Sequence, residues 1–474
     1  MELKNINHPF EYHTRKIVTM FFPLEKINEN ESGDIRVITE LKGKTFYAGV
    51  KLFDKELSAE YKPKQNEDMA NAVSLLLFKL LSEATGFVPP WGILYGVRPA
   101  RLMHAKTEEL GEDGAARFFK QCLVRDDKIE LARSVMKSEN EIIKLSRDNS
   151  FSLYVSIPFC PSRCSYCSFV SHSIENAADL IEPYVELLIR ELAATGEAAK
   201  NLGLRLETVY FGGGTPTTLS AKQLDSLLTA VESSFDLSGL REYTVEAGRP
   251  DTVTEEKLNA LLAHNVGRIS INPQTFNDEV LKIIGRRHTV EQTVKAFEKA
   301  ISLGFKNINM DLIAGLSGDT VESFKNSVNS AIALGAESVT IHNLALKSAA
   351  FLVTENRYYD LSKKLFANRM IDYSYEALSG SGYNPYYMYR QSKSLGNLEN
   401  TGWCKKGYEC LYNVFMMDET HTVLAAGAGA VTKLKNPESG HIERIYNYKY
   451  PYEYLNNFDE MILRKDGIYA FYGE

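Results

Sequence analysis

The chain has no run of about 18 apolar residues that could cross a bilayer, and its opening MELKNINHPFEYHTRK has no apolar core of the kind a secretory signal needs. The first absence argues against a helical membrane span, and the second sets the expectation of a cytoplasmic protein. A basic surplus is missing too. The 54 Lys and Arg against 61 Asp and Glu give a formal charge of −7, so the electrostatic footprint of a nucleic-acid binder is absent. Cysteine is scarce, with six in 474 residues, and a reducing compartment disfavours structural disulfides among them. No internal repeat or low-complexity tail is visible. What is present is a globular composition, 44% hydrophobic and 24% charged, in a chain long enough for two or three domains.

Residues 1–148 read as a separate N-terminal α+β unit with no chemical signature. KIVTMFF, DIRVITEL (34–41) and KTFYAGVKLF (44–53) look like three short strands, the last two joined by a tight hairpin. EDMANAVSLLLFKLLSEAT (67–85) has helical spacing, Pro89 and Pro90 break the helix, and two more helical patterns lie within 107–147. From 151 the texture changes. Strands FSLYVSI, ETVYF, EYTVEA, GRISI, NINMDLI and ESVTIHNL alternate with helical patterns at about 177–195, 220–233, 254–264, 278–303 and 320–333. Such alternation implies a parallel sheet, open or partly closed into a barrel. After 350 a helix is expected at 358–380, followed by strands YNPYYMYRQ (383–391) and YECLYNVFMM (408–417) and the glycine-rich LAAGAGAVTK (424–433).

Half of the scarce cysteines stand within eight residues, in SIPFCPSRCSYCSF, at the spacing C-x3-C-x2-C. Free thiols are often small buried hydrophobes, but Pro161, Arg163 and Ser165 make this a poor core strand. A structural zinc site needs a fourth ligand, for which only His172 is near, with Cys404 and Cys410 far along the chain. A [4Fe–4S] cluster is normally held by four thiolates. Three would leave one iron open to a small molecule. YFGGGTPT (210–217) ends the second core strand, where glycines let backbone approach a ligand.

C-x3-C-x2-C followed by a strand ending in GGGTP resembles the radical S-adenosylmethionine (SAM) superfamily. The polar residues fall where an active site of that class would need them. Cys160, Cys164 and Cys167 follow the first strand, Gly213 and Gly214 the second, Glu246 ends the third, Gln274 follows the fourth, Asp311 sits late in the fifth, and His342 ends the sixth. In barrels, such C-terminal strand ends meet at one mouth. VSIPFCPSRCSYCSF, FGGGTPT, VEA, PQTFNDEVLKIIGRRH and NMDLIAGLSGDT resemble the oxygen-independent coproporphyrinogen III oxidase group and its haem-chaperone relatives over 151–345. GVRPARL (96–102), YYMYRQSKSLGNLENTGW (386–403) and GAGAVTK (427–433) resemble the coproporphyrinogen dehydrogenase branch that carries an extra N-terminal domain.

The resemblance implies an α/β chain. A partial (β/α)6 radical SAM barrel at 149–350 would come after the N-terminal domain of 1–148, with an α/β substrate-side extension at 351–474. It implies a [4Fe–4S] cluster on Cys160, Cys164 and Cys167, and S-adenosyl-L-methionine bound by Tyr154, Tyr166, Gly213, Gly214, Thr215, Glu246, Gln274, Arg286, Asp311 and Ala345. Carboxylates suit that ligand's ammonium and ribose hydroxyls, and Arg286 suits its carboxylate. Taken singly, an Asp at a strand end also reads as a cap, and Arg286 before Arg287 and His288 as a solvated face. The chain departs from the best-known members at three points. Phe169 stands where they carry a fourth cysteine, Ser317 where GLPG has Pro, and Pro273 where Gly-Val precedes the Gln. These departures set it outside the main oxidase branch.

The activity so implied is oxidative decarboxylation of coproporphyrinogen III to protoporphyrinogen IX by a 5′-deoxyadenosyl radical. A low-potential electron donor such as flavodoxin or ferredoxin would serve it, with neither nucleic acid nor a membrane span involved. Arg249, Arg390 and Lys347 could meet the substrate's four carboxylates, though each reads more readily as an ordinary surface or packing residue. Residues 383–389 could floor the macrocycle or form an ordinary half-buried strand, and His342 could touch the substrate or haem, or be a satisfied histidine. The other readings of the same chain are a haem chaperone on this scaffold, a radical enzyme acting on RNA, and a plain structural iron–sulfur or zinc protein.

Overall fold

The computed structural model describes all residues except 24, 29–33, 97, 169–171, 346–360 and 474; Phe169 and Lys347 therefore lie outside the described residues. Neither of its two compact units is continuous in sequence: Met1–Met136, Asn343–Tyr373 and Met388–Asn400 form the first, and Lys137–His342, Ser374–Tyr387 and Thr401–Glu474 the second. Among the described residues no helix is long and apolar enough to cross a membrane.

In the first unit four strands form a sheet in chain order. Glu2–Ile6 runs parallel to Ile35–Lys42, and Thr45–Leu52 and Lys55–Tyr61 continue it antiparallel. The hairpin expected at Gly43 is present, with that glycine in the left-handed region at φ 64°. The strand expected at KIVTMFF is instead the end of the helix Glu11–Phe21. Its β-branched residues suggest a strand, but Thr14, Ile17, Val18 and Phe21 recur at helical spacing and are all buried, so burial of one helical face overrides propensity. Helix Met69–Thr85 starts where the Asp68 carboxylate accepts from the Ala70 and Asn71 amides, and it stops at left-handed Gly86.

The second unit is built on six parallel strands: Ser150–Ile157, Arg205–Gly213, Glu242–Glu246, Arg268–Ser270, Ile308–Ala314 and Ser338–Asn343. They lie side by side in chain order. Parallel crossovers are almost always right-handed, so steps that never reverse direction put every helix on one face and curl the sheet towards a barrel. The strands themselves show the two faces. Leu153, Val155, Val209, Phe211, Val245, Ile269, Met310 and Ile341 are buried on one side. The alternate positions are polar. Ser152, Thr208 and Glu242 pair across neighbouring strands, and so do Tyr154, Tyr210, Thr244 and Arg268. Buried parallel strands are usually apolar on both faces; this one encloses a polar lumen.

The sheet remains open. Beyond the sixth strand runs Glu399–Cys404, antiparallel to it with Val339 opposite Trp403, and beyond the first runs Thr422–Ala426, parallel to it. Val431–Lys435 and Ile442–Tyr446 complete that edge. The strand expected at YECLYNVFMM is a helix, Leu411–Asp418. The Glu242 carboxylate accepts from the Leu411 and Tyr412 amides at 2.7 and 3.2 Å, which caps the helix N-terminus and holds the Tyr412 ring on Tyr210, 4.4 Å between centroids. A tertiary acceptor decides this element, and strand propensity loses.

The glycine-rich turn after Thr422–Ala426 is tied to the barrel by a buried carboxylate. Glu191 accepts from the Gly427 amide, Tyr454 Oη and Asn447 Nδ2 at 2.7 Å each and pairs with Lys465 Nζ at 2.8 Å. Gly427 adopts φ 97°, and a side chain there would sit 2.5 Å from Ser156 O. Removing one partner of such a buried pair leaves the other desolvated and unmatched, so Glu191→Ala should cost about 3–5 kcal/mol. Denaturant titration of the full chain followed by far-ultraviolet circular dichroism measures it. A loss below about 1 kcal/mol, the level of an exposed pair, would mean that water already reaches this group.

Candidate functional site

Cys160 lies at the end of the short segment Phe159–Cys160, just past the first core strand. The second strand ends against it. Gly214 donates its amide to Ile157 O at 2.7 Å and Thr215 to Phe159 O at 2.8 Å. A Cβ on Gly214 would stand 2.6 Å from Phe159 O and 3.0 Å from Cys160 Sγ, so only glycine permits this approach. Gly213, at φ 109°, makes the turn possible. The Thr215 hydroxyl reaches Cys160 Sγ at 3.6 Å. The GGGT stretch therefore fits the thiol strand first, and any ligand lies beyond it.

The other two cysteines sit on a loop braced by the segment after the fourth strand. Ser165 donates its amide to Ile284 O at 3.0 Å, Ser162 Oγ donates to Gly285 O at 3.1 Å, and Cys167 closes a turn onto Cys164 O at 3.1 Å. Arg286, 8% exposed, donates to Asn272 O at 2.7 Å and to Tyr166 Oη at 3.3 Å, while its Nε is buried with no partner. Burial works against the Arg286 charge, but Tyr166 and Cys164 beside it more than compensate, and the group stays raised and cationic.

Inside the barrel Tyr154, Tyr210 and Tyr412 stack, with interplanar angles of 16–21°. Tyr210 Oη donates to Glu246 Oε1 at 2.5 Å. Burial, opposed by that hydrogen bond and reinforced by Asp311, pushes the Glu246 carboxyl up to about 7. Asp311 is half-buried, and burial opposes its charge, yet His342 at 3.6 Å and donation from Asn309 Nδ2 at 2.8 Å hold it below the ordinary range. Two carboxyl groups of one lumen are thus driven apart, one a fixed anion and one poised near neutrality. Gln274 is buried at φ 67°, a conformation that L side chains other than Asn and Asp seldom take, and is held there by its amide on Asp311 O and its carbonyl accepting from Ile313 N.

The structure gathers the anticipated residues into three groups. Cys160, Gly213, Gly214 and Thr215 meet at the first two strand ends, and Cys164, Tyr166 and Arg286 meet on the loop. Tyr154, Glu246, Gln274, Asp311 and His342 share the lumen. Ala345 belongs to the first unit, where it bridges Ser394. Two expected substrate contacts are corrected. Arg249 is buried with both ends engaged, on Asp251 and on the cysteine loop. Arg390, in the first unit, stacks on Trp91 and donates to Leu94 O at 2.8 Å. The Arg249 guanidinium is fully engaged within the protein, while Arg390 keeps a buried Nε with no hydrogen-bond partner. Cys410 donates to Glu242 and Cys404 pairs with Ser338, both at the N-terminal ends of their strands and away from the thiol loop. His172 packs edge-on against Tyr450 and Tyr452. Sequence reasoning misses Tyr210, Tyr412, Thr244 and Ser270; polar residues at every second position of the core strands are the signal for three of them.

Residues 154–331 match the family model of the radical SAM superfamily. The chain is 37% identical to the oxygen-independent coproporphyrinogen-III oxidase-like protein HemZ of Bacillus subtilis over 414 residues, 86% of this chain and 82% of that one. It is 35% identical to the heme chaperone HemW of Lactococcus lactis over 280 residues, 58% of this chain and 68% of that one. The solved structure of coproporphyrinogen III oxidase (HemN) from Escherichia coli shares the fold, with TM-score 0.53 and 22% identity over 68% of this chain and 72% of that one. The superfamily's cofactors are a [4Fe–4S] cluster and S-adenosylmethionine, and the residues here fit both. Three free thiols lie at one strand end and on its loop, with the buried guanidinium groups of Arg249 and Arg286 beside Cys164 to offset negative charge, although among the described residues no three His, Cys, Asp or Glu side chains are gathered closely enough to hold a metal ion. Arg286 Nε, Thr244 Oγ1 and Ser270 Oγ are buried polar atoms with no protein partner, suited to a polar ligand. By fold, by site and by identity sustained over most of its length, the chain belongs to the radical SAM superfamily, in the group of oxygen-independent coproporphyrinogen III oxidases and heme chaperones.

Proposed function

We propose that the protein carries out the oxygen-independent oxidative decarboxylation of coproporphyrinogen III to protoporphyrinogen IX, drawing electrons from a low-potential flavodoxin- or ferredoxin-like donor. The observation that carries this reading is the 86% span of the match to the coproporphyrinogen-III oxidase-like relative. When bound, the cluster and S-adenosylmethionine supply a 5′-deoxyadenosyl radical that takes a hydrogen atom from a propionate side chain.

The protein's own part is to hold and orient. Cys160, Cys164 and Cys167 hold the irons, with Thr215 and the loop braces setting the sulfur positions. Arg286 offers its unpartnered Nε to the carboxylate of S-adenosylmethionine. Glu246 receives the ammonium, and Asp311 with Gln274 takes the ribose hydroxyls. Tyr154, Tyr166, Gly213 and Gly214 complete the contacts. The apolar outer face of the barrel and the tyrosine stack keep water from the lumen, where an ionic contact is stronger than in bulk solvent.

A second reading, a heme chaperone, is favoured by the HemW match and by Phe169 at the place of the fourth cysteine. One experiment separates the two. Anaerobically reconstituted protein is given reductant, S-adenosylmethionine and coproporphyrinogen III, and product mass is monitored. The oxidase reading expects two losses of CO2 per macrocycle, abolished in Cys164→Ser. Unchanged substrate mass with haem retained in stoichiometric amount would replace it with the chaperone.

The Glu246 assignment has its own signature. Below about 7 the buried carboxyl is protonated, and a neutral acid does not attract an ammonium. Affinity for S-adenosylmethionine should therefore weaken by up to ~tenfold per pH unit below that point and level off above it. Glu246→Gln should bind weakly at every pH. Calorimetric titration of the reconstituted protein checks this, and a pH-independent affinity in the wild type would move the ammonium away from Glu246.

A further inference from the structure

Arg249 lies behind the cysteine loop, 2% exposed. It is the residue before the short 3-10 turn Pro250–Thr252, which folds Asp251 back onto it. Asp251 takes Nε on one oxygen and Nη2 on the other, 3.0 Å each. That fork fixes the guanidinium plane and leaves Nη1 on the far side. There it donates to Ser162 Oγ at 3.1 Å and to Cys164 Sγ at 3.8 Å.

The pair has a definite polarity. Burial works against the Asp251 charge, but Arg249 more than offsets it and the carboxyl stays below its ordinary range. His288, 4.0 Å from Asp251, is pushed down to about 3 by burial and by the two neighbouring arginines, and so is neutral. The result is a dipole whose positive end is buried against a cysteine sulfur and whose negative end, Asp251, is partly exposed. Arg286 also faces Cys164, but its Nη atoms are committed to Tyr166 and to backbone carbonyls, and its Nε has no protein partner.

We infer that Arg249 is a positioning residue that sets the reduction potential of the cluster through its N–H···S bond to Cys164, with Asp251 aiming it. The inference rests on the assignment of the cluster to the three cysteines under the proposed function. One-electron reduction adds negative charge to the cluster. A donor on a ligating sulfur stabilises that charge, and hydrogen bonds to the sulfurs and nearby net charge are the protein's main means of moving such potentials. With the donor lost the reduced form is disfavoured and the potential falls. Asp251→Asn, which removes the anion and keeps an acceptor for the fork, moves it the opposite way.

The test is an EPR-monitored redox titration of the anaerobically reconstituted full chain, with iron and sulfide content matched between variants. Arg249→Gln should shift the reduction equilibrium at least ~tenfold towards the oxidised form, which for one electron is about 59 mV more negative. Asp251→Asn should shift it upward. The spectral response to S-adenosylmethionine should persist in both, which shows the site intact. If Arg249→Gln does not take up iron, Arg249→Lys and Asp251→Asn decide. Potentials equal to the wild type at full loading overturn the inference and leave Arg249 a brace of the loop. A wild-type protein that takes up no cluster would instead bring down the proposed function, and the inference with it.

Discussion

Everything at the mouth of this barrel depends on how closely two strand ends approach. Gly214 lies so near Phe159 and Cys160 that a single methyl group would collide with backbone. The amides of Gly214 and Thr215 lock that approach at 2.7 and 2.8 Å. Backbone hydrogen bonds of this kind leave the Cys160 side chain little freedom, and the Thr215 hydroxyl removes more of it. The loop carrying Cys164 and Cys167 is less constrained by its own turn, so its position is borrowed from Ile284, Gly285 and Arg286 on the far side of the barrel. The loop that carries the three cysteines is thus braced by the second and fourth βα connections as well as by its own.

A polar lumen is expensive to fold, and the chain meets that cost by local pairing. Glu242 satisfies the amide end of a helix, Arg268 donates to Asn307 and Ser338, and Asp311 is matched by Asn309 and His342. Among the buried polar atoms left without partners, Thr244 Oγ1, Ser270 Oγ and Arg286 Nε lie on the core strands or against the cysteine loop. The divergence between Asp311 and Glu246 has the same character, because the ion pair with His342 fixes one charge and leaves the other carboxyl to respond to what binds beside it.

Legibility in the sequence is a matter of what is local. The alternation of strand and helix, the C-x3-C-x2-C spacing and the glycine turn each lie within a few residues, and the six core strands are read correctly from them. The errors fall where a distant group decides the conformation. KIVTMFF is helical because its buried face has helical period, and YECLYNVFMM because Glu242, well over a hundred residues earlier, caps it. Arg249 reads as a substrate contact because an arginine in a motif-rich region looks available. Its partners are an aspartate two residues on and a serine and a thiol far upstream. The polar stripe inside the barrel is readable in principle, since Ser152-Tyr154-Ser156 and Thr244-Glu246 alternate with Leu153, Val155 and Val245. Its meaning requires knowing that the sheet curls.

The choice between the two readings of the site turns on residues outside the barrel. The radical SAM model accounts for 154–331 only, and an oxidase and a carrier would both need those residues. The match to the heme chaperone of Lactococcus lactis extends over 280 residues, a length the core and its C-terminal extension can supply by themselves. The match to the coproporphyrinogen-III oxidase-like relative extends over 414, which must run well into the first 148 residues. Those residues carry a sheet with a capped helix and a buried Lys128–Glu399–Trp91 cluster, with both contacts to the carboxylate at 2.7 Å. A buried charge held by two partners is costly to keep by chance, and it includes residue 399 from the part of the chain beyond the barrel. An N-terminal segment tied to residue 399 by buried charge is thus part of what this chain shares with the oxidase-like relative beyond the barrel.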